Sequence, residues 1–113
     1  MRYLLLLYGA PFRPEEIPPG AFEAHMTFTR ELQEAGALIA SAPLAPVEEA
    51  KTVRIRRRER LVVDGPFAET KEVLGGYYLI EAESIDAAVE WAKLLRSDVD
   101  GSIEVRPLLS ISG

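Results

Sequence analysis

The chain has 113 residues, of which 48% are hydrophobic and 27% are charged, and its formal net charge at pH 7 is −5. A chain of this size can bury one hydrophobic core, so we expect a single domain over residues 1–113. The negative charge argues against direct nucleic-acid binding, because such surfaces neutralise phosphates with lysine and arginine. The absence of cysteine excludes a disulfide framework, and one histidine cannot supply a zinc site of nitrogen and sulfur ligands.

Neither a cofactor nor a membrane is indicated by the sequence. There is no Ser or Cys nucleophile motif and no glycine-rich phosphate loop, and no carboxylate spacing resembles an ion-binding loop, so we predict no cofactor and no metal. The apolar run from Tyr3 to Tyr8 is far shorter than the roughly 20 residues that span a bilayer. Because this run follows Met1-Arg2 directly, without a cleavable signal, we expect a cytoplasmic protein. The lack of Asn and the excess of Arg over Lys are typical of a hot-growing source or of a biased genome.

The first third of the chain predicts a strand, a helix and a second strand. The segment from Arg2 to Tyr8 contains the continuous apolar run and is followed by Gly9 and Pro11, which is typical of a strand buried on both faces. After a proline-rich loop from Pro11 to Gly20, residues recur at helical spacing until Gly36, which predicts the helix end. These residues are Ala21, His25, Phe28, Leu32 and Ala35. Ala37 to Ala40 predicts a strand, and the prolines that follow favour a sheet edge.

An arginine-rich segment predicts a hairpin. Thr52 to Arg56 and Leu61 to Val63 have strand periodicity, and Arg57 to Arg60 are predicted to form a polar turn between them. The basic run is therefore interpreted as a solvated hairpin tip rather than as a binding surface for nucleic acid.

The hairpin leads into a long loop from Asp64 to Gly76. Asp-Gly-Pro is strong turn chemistry, and we expect Gly65 to take a positive φ there. Phe67, Val73 and Leu74 are expected to hold this loop on the core, and loops of this kind concentrate functional groups.

The last third predicts a strand, a helix and a final strand. Gly76 to Ala82 is rich in aromatic and β-branched residues. Ser84 is a suitable N-cap for a helix that should fade by Ser97, and Ser102 to Arg106 alternates apolar and polar residues. This order of elements predicts an α+β fold, a ferredoxin-like split βαβ sandwich.

Two helices can cover only one face of such a sheet. The first strand and the strand at Tyr77 are apolar on both sides, and large exposed apolar patches are rare on monomers. We therefore expect a homodimer with sheet packed on sheet; the alternative is that the loop from Pro11 to Gly20 folds back as a lid.

His25 is the main candidate for chemistry, because its unperturbed pKa lies near neutrality and it sits on the apolar stripe of the first helix. A half-buried histidine oriented by a carboxylate is suited to proton transfer, whereas a core histidine bonded to a backbone carbonyl would be structural. Glu34 falls on the opposite helical face, so Asp64 or Glu69 from the loop is the better-placed carboxylate.

Three further residues are candidate ligand contacts. Lys71 would bind an anionic substrate or pair with Glu69 or Glu72. Tyr8 and Tyr78 would line a pocket with aromatic area and a hydroxyl group, or serve as core residues.

Several separated segments resemble the YCII-related family in its DGPF branch. The most specific is Asp-Gly-Pro-Phe-Ala-Glu-Thr-Lys-Glu at 64–72, followed by Leu-Gly-Gly at 74–76. The helix with His25 and Gly36, the strand ending in Leu-Ala-Pro at 44–46 and the closing segment at 101–107 are also similar to the family pattern, in the same order. Ser41-Ala42 and Val73 depart from it, where glycine and a polar residue are common.

The resemblance implies a dimeric α/β-barrel of ferredoxin-like subunits and a site made of a histidine, matched here by His25, and an acidic residue. We predict Asp64 as that acidic residue and Tyr8, Glu69, Lys71 and Tyr78 as substrate contacts. Two functions follow: a cofactor-free acid-base or lyase-type enzyme acting on a small, aromatic substrate, or a ligand-binding or regulatory module linked to sigma-factor-dependent transcription.

Overall fold

The computed structural model describes residues 1–95 and 100–110 and has the predicted order of elements. In that part of the chain there are six strands and two α-helices: β1 (Arg2–Gly9), α1 (Ala21–Glu34), β2 (Leu38–Pro43), β3 (Lys51–Arg56), β4 (Glu59–Asp64), β5 (Val73–Glu81), α2 (Ile85–Lys93) and β6 (Gly101–Pro107). Short 3₁₀ turns occur at Pro14–Glu16 and Val47–Glu49.

Four strands form one antiparallel sheet in the order β2-β5-β1-β6. Since β5 lies between β1 and β2, the β1-α1-β2 unit is split by an intervening strand, as in a ferredoxin-like sandwich. The prediction of an α+β fold with two helices and an antiparallel sheet is confirmed, as is the position of β2 at a sheet edge.

The core lies between this sheet and the two helices. Tyr3 and Leu5 of β1 are buried together with Tyr78 and Ile80 of β5, against Phe28 of α1. The residues that alternate with them face the other side of the sheet and are only partly buried: Leu4, Leu6, Tyr77 and Leu79. In a single chain β1 is thus buried on one face, which corrects the prediction of burial on both. Residues 15–20 of the proline-rich loop are exposed.

Both helices have well-defined ends. The N–H groups of Gly36 and Ala37 donate to the carbonyls of Gln33 and Leu32, which closes α1 as predicted. The side chain of Ser84 accepts a hydrogen bond from the N–H of Ala87 at 3.1 Å, which confirms the predicted cap of α2. The helix ends at Lys93, and Ser97 lies outside the described residues.

In the four-stranded sheet, β2 and β5 extend furthest beyond their predicted ranges. β2 continues to Pro43, because Ala42 and Pro43 pair with Tyr77 and Gly76 at an edge that tolerates proline. β5 starts at Val73 rather than Gly76, because Val73 and Leu74 pair with Gly9 and Tyr8. The loop after Asp64 is correspondingly shorter.

Strands β3 and β4 form a separate two-stranded sheet. The turn contains only Arg57 and Arg58, since Glu59 and Arg60 pair with Arg56 and Ile55. The predicted four-residue turn is therefore wrong, and the hairpin extends almost to its tip.

Candidate functional site

His25 lies in the second turn of α1, on the side of the helix that faces the sheet. Phe28 and Leu32, on the same face, are fully packed in the core, whereas His25 is half-buried near the N-terminal end of this stripe. The residue is therefore held by the helix while part of its ring stays accessible.

The side-chain partner of His25 is a tyrosine of the central sheet. Nδ1 of His25 lies 3.1 Å from the hydroxyl oxygen of Tyr78 on β5. The hydroxyl of Thr29, one turn further along α1, lies 3.2 Å from the same oxygen and donates to the backbone carbonyl of His25 at 2.8 Å. Three polar side chains from two elements therefore meet at one point under the helix.

The ring of Tyr78 is fixed by its neighbours. Its edge meets Phe28 at a centroid distance of 5.0 Å and an angle of 86°, and its plane is parallel to the His25 ring within 2°. Because the residue lies beside Ile80 on the helix-covered face of β5, it is only 6% exposed. This packing leaves its hydroxyl few positions to occupy.

Burial moves both titrating groups toward their neutral forms. It lowers the pKa of His25 below the ordinary value of 6.5, and it raises the pKa of Tyr78 above its ordinary value of 10.0, an effect that the hydrogen bond to Thr29 partly opposes. His25 and Tyr78 are thus both neutral near pH 7.

Asp64, the predicted acidic partner, is placed elsewhere. It is the last residue of β4, its side chain is 88% exposed, and it forms an ion pair with Lys51 at 2.8 Å across the base of the hairpin. The structure does not bring Asp64 to His25, and desolvation is the cause of the shifted histidine pKa. The loop that follows Asp64 borders a cleft with Tyr8 on the outer side of the sheet, a tertiary relationship that spacing along the sequence does not contain.

The predicted substrate contacts do not converge on one site. Tyr8 lies on the face of the sheet opposite to Tyr78, because it alternates with Leu7 on β1. Glu69 and Lys71 are exposed in the loop before β5, and neither has an ion pair within residues 1–95 and 100–110. Of the predicted residues, the structure joins only His25 and Tyr78.

Tyr8 instead borders a cleft of about 640 Å³ beneath the loop. Its lining is mostly apolar and includes Phe67, Thr70, Glu72 and Leu74. Phe67 is 73% exposed, so it does not hold the loop on the core as expected. The loop is closed by other contacts: Thr70 donates to the carbonyl of Glu72, whose carboxylate accepts from Ser102 of β6 at 2.9 Å.

Thr29 was missed by the sequence analysis. The sequence feature that could have identified it is its position four residues after His25, which places both side chains on the same helix face. Among the described residues, no three His, Asp or Glu side chains are close enough to hold a metal ion. Neither described helix is long and apolar enough to cross a membrane.

Comparison with known proteins agrees with the sequence motifs. The sequence model of the YCII-related domain matches residues 1–112. An uncharacterised protein of Rhizobium meliloti (strain 1021) is 48% identical over 81 residues, which cover 70% of this chain and 65% of that protein. The match thus spans just under two thirds of the relative's length.

Proposed function

This chain belongs to the YCII-related family, and from the contacts of His25 we propose that it is a small cytoplasmic protein that binds a small molecule at His25 and transfers a proton on it without a cofactor. The observation that supports this most directly is the hydrogen bond between Nδ1 of His25 and the buried hydroxyl of Tyr78.

The hydrogen bonds around Tyr78 favour one tautomer of His25. Thr29 donates its only hydroxyl proton to the carbonyl of His25, so its oxygen remains an acceptor for Tyr78. If Nδ1 carries the ring proton, it donates to Tyr78, and Tyr78 donates to Thr29. In the other tautomer Tyr78 donates to Nδ1, and its contact with Thr29 has no proton. The first arrangement has one more hydrogen bond, worth about 0.5–1.5 kcal/mol.

In this tautomer the lone pair of Nε2 is the basic group of the site. Nε2 has no hydrogen-bond partner among the described residues. Since no buried side-chain nitrogen or oxygen in that part of the chain lacks a partner, Nε2 is not buried and is open to a ligand. Because burial lowers the pKa of His25, the ring stays neutral near pH 7. A neutral ring with an open Nε2 accepts a proton or a hydrogen bond from an O–H, N–H or acidic C–H group.

The corresponding reaction is an elimination, in which His25 takes a proton from the substrate and passes it to the leaving group. Nε2 takes a proton from the substrate, and the electron pair left behind forms a double bond and expels a leaving group. The imidazolium then returns the proton to that leaving group. Without a carboxylate at His25 the cation is poorly stabilised, which favours rapid return of the proton.

The tautomer can be measured directly, because His25 is the only histidine. We expect two-bond ¹H–¹⁵N spectra of histidine-labelled protein at pH 7.5 to show a protonated Nδ1 and an unprotonated Nε2. Tyr78→Phe removes the acceptor and should shift the population toward the other tautomer. Tyr77→Phe, on the opposite face of β5, is the matched control and should leave the spectrum unchanged. A protonated Nε2 in the wild-type protein would contradict the proposed base.

Ligands are to be found by a thermal-shift screen of small metabolites, in which a ligand at a hundredfold excess over its Kd adds roughly 2.7 kcal/mol. His25→Gln should abolish binding or turnover and leave the fold intact. A His25→Gln protein that melts lower but binds the same compound equally well would remove His25 from the site.

A ligand-binding or regulatory module, linked to sigma-factor-dependent transcription, is the second candidate. It is favoured by the lack of a carboxylate at His25 and by the clefts of about 460 and 640 Å³, which are lined by other residues. Product analysis of each screening hit separates the two candidates: a module returns the compound unchanged.

We also propose that two copies associate through the outer face of the sheet, as in a dimeric α/β-barrel. The partly buried residues Leu4, Leu6, Tyr77 and Leu79 support this, because they form an apolar surface that neither helix covers. A monomer by light scattering at micromolar concentration would contradict it.

A further inference from the structure

One face of the β3–β4 hairpin carries an apolar strip that is exposed in the single chain. Val53 and Val62 are directly opposite each other, and Ile55 follows on the same face. These three side chains are 55%, 61% and 56% exposed. On the other face Thr52, Arg54 and Val63 are partly buried, so the two faces of the hairpin have different surroundings.

The hairpin has little support from the rest of its own chain. Its strands pair only with each other, and a two-stranded hairpin is marginally stable by itself. The radius of gyration is 15.9 Å, compared with about 13 Å for a compact domain of similar length. A projecting hairpin with an apolar face is expected to be covered in the functional assembly.

Charge indicates what covers it. The hairpin from Lys51 to Asp64 contains six basic and two acidic side chains, whereas the whole chain has a net charge of −5, so the remainder carries −9. The hairpin and the remainder of a second copy are therefore electrostatically complementary, which favours their association and penalises partners with a basic surface.

We propose that the hairpin is an arm that docks on a second copy of this chain, with its apolar strip on the outer face of that copy's four-stranded sheet. The strip supplies Val53, Ile55 and Val62, and the receiving face supplies Leu6 and Tyr77, next to the Leu4–Leu79 pair that remains for the contact between the two sheets. Two-fold symmetry lets each copy give one arm and receive one, so both apolar surfaces are covered. The inference rests on the proposed dimer and adds the segment that holds it together.

Two neighbouring residues provide a matched test. Val62 and Leu61 are each 61% exposed, but they point to opposite faces of β4. We expect Val62→Glu to weaken dimerisation at least tenfold in sedimentation equilibrium, and Leu61→Glu to change it less than threefold. The wild-type dimer should also weaken between 0.05 and 0.5 M NaCl, because exposed charge pairs are screened. Circular dichroism confirms that both variants are folded.

The chain has no cysteine, so a disulfide can be placed without background. A Val62→Cys chain mixed with a Leu6→Cys chain should form a mixed disulfide under mild oxidation, and a Leu61→Cys chain should not. This measurement does not depend on the stability of the glutamate variants.

The outcomes separate the arm from the dimer. The arm is overturned, and the dimer stands, if the wild-type protein is a dimer, Val62→Glu leaves dimerisation unchanged, and the Val62→Cys and Leu6→Cys chains form no disulfide. A wild-type monomer would overturn both. If the protein is a monomer and its hairpin binds vesicles that contain 30% phosphatidylserine, the apolar strip and the hairpin arginines bind an anionic membrane surface instead.

Discussion

Gly101 and the carbonyl of Tyr8 lie so close that a Cβ atom at position 101 would stand 2.5 Å from the carbonyl oxygen. The contact joins the start of β6 to the end of β1. Since the neighbouring atom is a backbone oxygen, it cannot rotate away as a side chain could. Gly9, which is directly opposite Gly101 in the register, is not crowded: a Cβ there would have its nearest neighbour at 3.9 Å.

This pair gives the first prediction. We expect Gly101→Ala to lower the free energy of unfolding by about 1–3 kcal/mol, the usual cost of forcing a methyl group into a packed site. Gly9→Ala should change it by less than about 0.5 kcal/mol, as surface substitutions do. Urea unfolding of the two variants measures the difference, and equal stabilities would contradict the close approach.

The turn after β4 gives the second prediction. Gly65 has φ +97°, as the Asp-Gly-Pro sequence indicated, and its N–H donates to the carbonyl of Ala50 at 2.7 Å. A β-branched residue at this φ is strained by about 1–3 kcal/mol, so Gly65→Val should lower the melting temperature by several degrees. Ala68→Val in the same loop is the control. An unchanged melting temperature for Gly65→Val would argue that the turn adapts.

The order of the elements was predictable because it depends on local patterns. Helical spacing, the cap at Ser84 and the apolar run of β1 each specify an element without information about its neighbours. Relationships between elements were less accessible. Thr29 and Tyr78 meet only because α1 packs over β5 at that position, and Asp64 lies at the base of a hairpin whose direction the sequence does not encode. The family resemblance suggested a histidine with an acidic partner, and the structure pairs the histidine with a tyrosine.

The tip of the hairpin gives the third prediction. Arg57 and Arg58 have φ of +48° and +70°, which are unfavourable for residues other than glycine and asparagine. Two-residue hairpin turns with two positive φ values prefer Asn-Gly. We expect the double variant Arg57→Asn, Arg58→Gly to raise the free energy of unfolding by about 1–2 kcal/mol.

The control for this variant is Arg57→Gln, Arg58→Gln, which removes the same charges and keeps side chains that are strained at positive φ. It should be close to wild type in urea unfolding. If both double variants are stabilised equally, the gain comes from relieving repulsion among the arginines rather than from the backbone.

The fourth prediction concerns the dependence of stability on pH. Burial lowers the pKa of His25 in the folded protein below the value of 6.5 that it has when unfolded. Below pH 6.5 the unfolded chain therefore takes up a proton that the folded chain resists, and stability is lost as the pH falls toward the folded-state pKa. Above that window His25 is neutral in both states and contributes no pH dependence.

The measurement is the difference in unfolding free energy between wild type and His25→Gln, from urea titrations between pH 5 and 8. Subtraction cancels the carboxylates, which titrate alike in both proteins. We expect this difference in unfolding free energy to be constant above pH 7. As the pH falls below 6.5, the wild type should lose stability relative to His25→Gln. The opposite slope, with the wild type gaining stability in acid, would mean a raised pKa. That result would require a carboxylate beside His25 in the assembled protein, supplied by Asp64 or Glu69 of a second copy, and would replace the tyrosine-held neutral base with a histidine–carboxylate pair.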